Sequence, residues 1–130
     1  MSNSMHQEIY NYCNKKHIEF LSTAFNIEEL DYLVDLGIKR IKIPSGEITN
    51  LPYLEKAASF NLPLIISTGM SNLTEVRNAY EVLFKAGVKN NSMTFLHCIS
   101  NYPTKLKSVN LRAMKLIEDK LNVNIGYSDH

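Results

Sequence analysis

The feature that most constrains this chain is a fivefold alternation. Short apolar runs begin near residues 18, 38, 63, 93 and 123, and segments of helical periodicity separate them. Strands that alternate with helices at this spacing pair in parallel through right-handed crossovers. The runs Ile38–Ile43, Pro63–Ile66 and Val123–Tyr127 show little polar alternation, as expected of strands covered on both faces. The intervening segments carry their own start and stop signals. Residues 4–16 read as a helix with Ile9, Tyr12 and Cys13 on one face and Lys15 and Lys16 at its end. Asn26 caps a second helix, with an apolar stripe of Ile27, Leu30, Leu33 and Val34 and a stop at Gly37. Asn50 and Pro52 open a third over 51–60, bearing Leu51, Leu54 and Ala58. Asn72 and Glu75 form a capping pair for a fourth, with Val76, Ala79, Tyr80 and Leu83, closed by Gly87. A fifth is expected near 109–120, with Leu111, Met114, Leu116 and Ile117.

Each strand ends, on its C-terminal side, in small polar or ionisable residues. The clusters are Ser22-Thr23, Ser45-Gly46-Glu47, Ser67-Thr68-Gly69, His97 to Tyr102, and Ser128-Asp129-His130. An open doubly wound sheet gathers its site at one switch point, after two or three strands. A (β/α)8 barrel gathers it around the C-terminal ends of all its strands. Clusters after all five runs favour the α/β, TIM-barrel type. A whole barrel takes roughly 250 residues, and this chain has 130. The expectation is therefore about five consecutive βα units of a barrel, a partial barrel domain over residues 1–130.

Composition narrows the function classes. A net charge of +1 offers no general attraction to nucleic acid or an anionic membrane. The longest apolar runs are too short to span a bilayer, and the N-terminus lacks the basic and apolar regions of a secretory signal, so a cytoplasmic location is expected. Cys13 and Cys98 match no disulfide, metal or redox spacing.

The strongest chemistry lies in residues 41–50. Lys42 sits between Ile41 and Ile43, Ser45-Gly46 lets the backbone approach a ligand, and Glu47 adds a carboxylate. An ammonium, a hydroxyl and free amides at one strand end suit a small anion. Each residue has a plainer reading. Lys42 reads as a solvated lysine or as a buried functional amine. Glu47 reads as a salt-bridge partner or a first-turn helix residue. Ser22, Thr23, Ser67, Thr68 and Ser128 read equally as turn and cap residues. His97 and His130, taken singly, read as structural histidines, and Cys98 as a small buried hydrophobe. No HxH, HExxH or CxxC spacing argues for a metal.

Five ordered stretches resemble consecutive motifs of the sialic acid synthase family, which includes N-acetylneuraminate synthase and bacterial legionaminic and pseudaminic acid synthases. They are residues 22–25 (STAF), 42–50 (KIPSGEITN), 64–70 (LIISTGM), 96–103 (LHCISNYP) and 126–130 (GYSDH). The resemblance implies a (β/α)8 barrel that condenses phosphoenolpyruvate with an N-acetylated aldose such as N-acetylmannosamine. It implies release of phosphate by C–O cleavage, and a divalent metal, Mn2+ or Mg2+. By similarity, Lys42, Ser45, Ser67 and Ser128 hold phosphoenolpyruvate with Thr23 near its carboxylate, Glu47 and Tyr102 contact the sugar, and His130 is one of two histidine metal ligands. Glu47 and Lys42 are the catalytic candidates. Ala24 stands where the family usually has Pro, and Pro44 replaces a small residue. Ser100 stands where some members carry a phosphoenolpyruvate-binding Asn, which leaves Asn101 to take over that contact.

The same resemblance places the chain at strands three to seven of eight. The first two strands, with a catalytic glutamate and lysine, would precede residue 1. The second metal histidine would follow His130, and by the same reading the C-terminal antifreeze-like domain is expected to lie outside these residues. The isolated chain is then expected to be inactive, and to associate as a homo-oligomer or with a complementing chain. Two alternatives stand beside this. One is another phosphate-binding TIM-barrel aldolase or synthase. The other is a non-catalytic truncated or split-chain fragment that associates with a partner through its unpaired strand edges.

Overall fold

Four short strands pair in parallel in the order β1-β2-β3-β4, without reversal, in a computed structural model that describes residues 2–130. The strands are β1 (Ile41–Ile43), β2 (Leu64–Ser67), β3 (Met93–Cys98) and β4 (Asn124–Ser128). The helices are α1 (Asn3–Lys15), α2 (Ile27–Leu36), α3 (Leu51–Ser59), α4 (Leu73–Lys85) and α5 (Arg112–Leu121). Consecutive helices α2 to α5 pack on one another along the sheet. A sheet whose strands follow chain order, with successive helices side by side, is an arc of a (β/α) barrel; a doubly wound sheet would reverse its order.

The local signals produced the helices they encode. The side chain of Asn26 accepts from the Glu29 N–H at 2.7 Å, and Gly37 closes α2 at φ +105°. The side chain of Asn72 accepts from Thr74 and Glu75 while the Glu75 carboxylate accepts from the Asn72 N–H, a complete capping box. The core lies between the helices and one face of the sheet. Ile41, Ile43, Leu64, Ile66, Met93 and Phe95 share that face through the strand register and are all buried. Tyr53 of α3 is fully buried, and its hydroxyl donates to the Ala24 carbonyl at 2.9 Å.

Four expectations are corrected. The run Ile18–Leu21 forms no strand; the chain there makes a single parallel bridge, Thr23 to Lys42, and Ile18 and Leu21 remain exposed at the sheet's edge. Residues 123–127 are not covered on both faces: β4 is the other edge strand, and only Val123 just before it is buried. The packed face of α1 carries His6, Tyr10 and Cys13, at i, i+4 and i+7, while Ile9 and Tyr12 face solvent. In α5 the buried pair is Ile117 and Leu121; Leu111 and Leu116 are exposed.

Candidate functional site

Strand alternation selects the residues that meet at the site. On the sheet face opposite the helix-packed core, Lys42 lies level with Ile65, Ser67 with Leu96, and Cys98 with Ser128. The C-terminal ends of all four strands therefore present Lys42, Ser67, Cys98 and Ser128 on one surface. The loops that follow add Pro44, Ser45 and Gly46 after β1, and Ile99, Ser100 and Tyr102 after β3. Together with Phe25 and His130 they line a cleft of about 450 Å³.

Lys42 is the centre of this cleft. Its Nζ donates to Ser67 Oγ at 2.7 Å, and Ser67 is buried. Burial lowers the Lys42 pKa from its ordinary value, and the nearby Cys98 thiol opposes that shift. Among the described residues no carboxylate lines the cleft, so Lys42 supplies a formal positive charge with no built-in counter-charge. An anion beside a half-buried ammonium of this kind raises its pKa back toward the ordinary value. The hydroxyls of Ser45, Ser67, Ser100 and Ser128 stand around it. One cation and four hydroxyls form a donor set for a phosphate-like oxyanion.

The structure brings together Lys42, Ser45, Ser67, Ser100, Tyr102, Ser128 and His130. Three predicted site residues lie outside the cleft lining. Thr23 bridges to Lys42 but faces a neighbouring cavity of about 550 Å³ with Asn3, His6, Glu28, Glu29 and Tyr32. That larger cavity carries two carboxylates and is the wrong charge for an anion. Glu47 follows Gly46 in the short 3-10 turn Ser45–Glu47, and its carboxylate accepts from Asn50 Nδ2 at 2.6 Å. Asn101 is exposed, and its carbonyl accepts from Thr104 Oγ1 at 3.1 Å. Of the two contenders after β3, Ser100 and not Asn101 reaches the cleft wall.

Cys98, in the cleft wall, and Gly69, beside it, stood in strand-end clusters, but neither had an individual role legible in the sequence. Cys98 is buried, as a small hydrophobe would be, yet it lines the cleft, and its Sγ accepts from the Gly69 N–H at 3.1 Å. Gly69 holds φ +49° in the turn after β2. His97 points to the other side of β3, toward α4 and α5, where its Nε2 accepts from the Asn110 N–H at 3.4 Å. Burial lowers its pKa, which fits its structural reading.

The metal expectation rests on His130. Its ring stacks on Tyr102 with centroids 4.1 Å apart, at the cleft wall. Among the described residues no three His, Cys, Asp or Glu side chains converge. His130 offers one ligand nitrogen, and the residues present do not build a metal centre around it.

Comparison with known proteins places this geometry. The chain is 50% identical over 125 residues to an N,N'-diacetyllegionaminic acid synthase from Campylobacter jejuni, which covers 96% of this chain and 37% of the relative. It is 46% identical over 132 residues to the enzyme of that name from Legionella pneumophila, covering 100% of this chain and 37% of the relative. The crystal structure of N-acetylneuraminic acid (sialic acid) synthetase from Leptospira borgpetersenii in complex with citrate superimposes with a TM-score of 0.93 at 32% identity, covering 100% of this chain and 45% of that one. The chain thus spans a little over a third of the curated relatives it matches. The NeuB family model matches residues 1–130, and with the strand-end cleft, the sequence identity and the superposition in agreement, the chain belongs to the NeuB family.

Proposed function

We propose that this chain forms the phosphoenolpyruvate-holding wall of a nonulosonic acid synthase, which condenses phosphoenolpyruvate with an N-acetylated aldose and releases phosphate. The observation that carries the reading is the carboxylate-free cleft, with the Lys42 ammonium bonded to Ser67 and three further serine hydroxyls around it. In the reaction, C3 of phosphoenolpyruvate bonds to the aldehyde carbon, the oxygen of a water joins C2, and the C2–O bond to phosphate breaks. Lys42, Ser45, Ser67, Ser100 and Ser128 hold the phosphate and accept its growing charge as it leaves. Thr23 is assigned to the carboxylate of the ligand on its pairing with Lys42, although it lines the neighbouring cavity. Tyr102 presents an exposed ring for a sugar face. Glu47 is assigned to a sugar hydroxyl, for which its carboxylate would have to release its bond to Asn50. His130 supplies at most one bond to a divalent ion, and no step here depends on that ion. The two relatives at 50% and 46% identity make N,N'-diacetyllegionaminic acid the product we favour. A cytoplasmic setting goes with phosphoenolpyruvate as substrate.

Calorimetric titration of the chain with phosphoenolpyruvate tests the reading. Saturable binding is expected, together with no phosphate release when Mn2+ and either N-acetylmannosamine or the diacetamido aldose that yields N,N'-diacetyllegionaminic acid are added to the isolated chain. Absence of binding at millimolar ligand overturns the anion site. Phosphate release by the 130-residue chain overturns its role as one wall of a larger site.

A further inference from the structure

Gly69 occupies the point where three strand ends meet. It follows Ser67 and Thr68 at the end of β2, in a turn pinned from both sides. The Thr68 N–H and Oγ1 each donate to the Leu96 carbonyl at 3.0 Å, and the Ser71 N–H donates to the Thr68 carbonyl at 2.8 Å. The Gly69 N–H is taken by the buried Cys98 thiol. A Cβ built on Gly69 would lie 2.5 Å from Ser45 Cβ and 2.6 Å from Ser45 Oγ, with Ser100 Oγ at 3.4 Å. Two of the hydroxyl-bearing arms of the cleft therefore rest against the bare α-carbon of Gly69. One arm follows β1 and the other follows β3, so no local turn rule sets their separation. The contact with β2's turn does.

We infer that Gly69, held by the Cys98 thiol, is the positioning residue that sets where the Ser45 hydroxyl stands in the anion cleft. This rests on the phosphoenolpyruvate reading above for its ligand, but its geometric content concerns this chain alone. The left-handed backbone at Gly69 brings its α-carbon under Ser45, and Cys98 supplies the acceptor that fixes the peptide. Cys98 thus acts on the Ser45 position through Gly69.

A double-mutant cycle separates positioning from backbone strain. Gly69→Ala alone is expected to weaken phosphoenolpyruvate binding about tenfold or more, the size of one lost charge-assisted bond. In a Ser45→Gly background the clashing atoms are gone, and Gly69→Ala is expected to change affinity by less than about threefold, as weakly coupled substitutions do. Equal losses in both backgrounds overturn the inference, because strain at φ +49° would act the same way with or without Ser45. Should Gly69→Ala fail to fold by circular dichroism, Cys98 decides. Cys98→Ala is expected to weaken binding severalfold while Cys98→Ser, which keeps an acceptor, stays near wild type; wild-type affinity in Cys98→Ala overturns it. If the wild-type chain binds no phosphoenolpyruvate, the functional reading falls by itself. The positioning claim is then read from the Ser45 amide resonance, which must move in Cys98→Ala and return in Cys98→Ser; an unmoved resonance overturns it.

Discussion

Replacing Lys42 with methionine gives affinity and stability different fates. In the folded chain the ammonium is half-buried and its pKa is lowered, so burial disfavours its charge and an anion beside it would oppose that shift. Methionine has similar length and no charge. It removes the buried charge and also the 2.7 Å bond to Ser67. A bond from an ammonium to a hydroxyl contributes about 1.5–3 kcal/mol, relief of the buried charge opposes its loss, and global stability should fall by less than about 2 kcal/mol. Binding is different. A charge-assisted bond to phosphate is worth about 1.5–3 kcal/mol, which is about 10- to 100-fold in dissociation constant. Urea unfolding gives the first quantity and calorimetric titration with phosphoenolpyruvate the second. A Lys42→Met chain that loses more than about 2 kcal/mol of stability yet binds phosphoenolpyruvate normally would show that the ammonium is a structural bond donor and would refute the anion site.

The same lysine sets a pH signature. Its folded pKa lies below the ordinary 10.5, so affinity for phosphoenolpyruvate should fall on the alkaline side before an ordinary lysine titrates, and Lys42→Met should show no such arm in the same titrations. His97 acts on stability instead. Its folded pKa is below the unfolded 6.5, so the unfolded state binds the extra proton; stability should fall as pH drops below about 6.5 and level off below the folded pKa. Urea midpoints across that window should flatten in His97→Gln, which keeps an acceptor for the Asn110 N–H. Tyr53→Phe leaves the Ala24 carbonyl without its buried donor and should cost about 1–2 kcal/mol by urea denaturation. The phenol's pKa, pushed up to about 12 chiefly by burial, means no alkaline titration of Tyr53 below that range in wild type. Asn72→Ala removes both bonds of the α4 cap and should lower stability by about 1 kcal/mol without touching phosphoenolpyruvate affinity.

What could be read from the sequence was local. Asn26, Gly37, Asn50 and the Asn72–Glu75 pair signal helix ends through bonds spanning two to four residues, and each does so in the structure. The buried stripes of α2 and α4 follow the same short period. The alignment of Lys42 with Ser67 was accessible only as a cluster of polar strand ends, because their bond joins residues 25 positions apart. The contact between Gly69 and Cys98 lay beyond reach, since it depends on the register of β2 against β3, and a glycine in a polar turn reads as turn chemistry alone. Edge strands misled for a related reason. An apolar run such as 123–127 has the same composition whether a neighbour covers it or not, and its exposure is set by its place in the sheet.

The two faces of the sheet explain why this chain reads as a binding wall first and a catalyst second. One face is closed: Ile41, Ile43, Leu64, Ile66, Met93 and Phe95 are buried under the helices and carry the stability. The other face carries the chemistry, and there Lys42, Ile65, Thr94 and Leu96 keep partial contact with water. Water at that face screens the Lys42 charge and weakens each bond to a bound phosphate. Stabilising the charge that develops as phosphate leaves needs the same donors in a dry site. Any element that covers the Ile65–Leu96 surface would therefore strengthen Lys42 and the four serines at once without altering a single one of their contacts. Affinity measured on the chain alone reports this donor set in its partly wet state, where both the bonds and the cost of burying the ammonium are smaller.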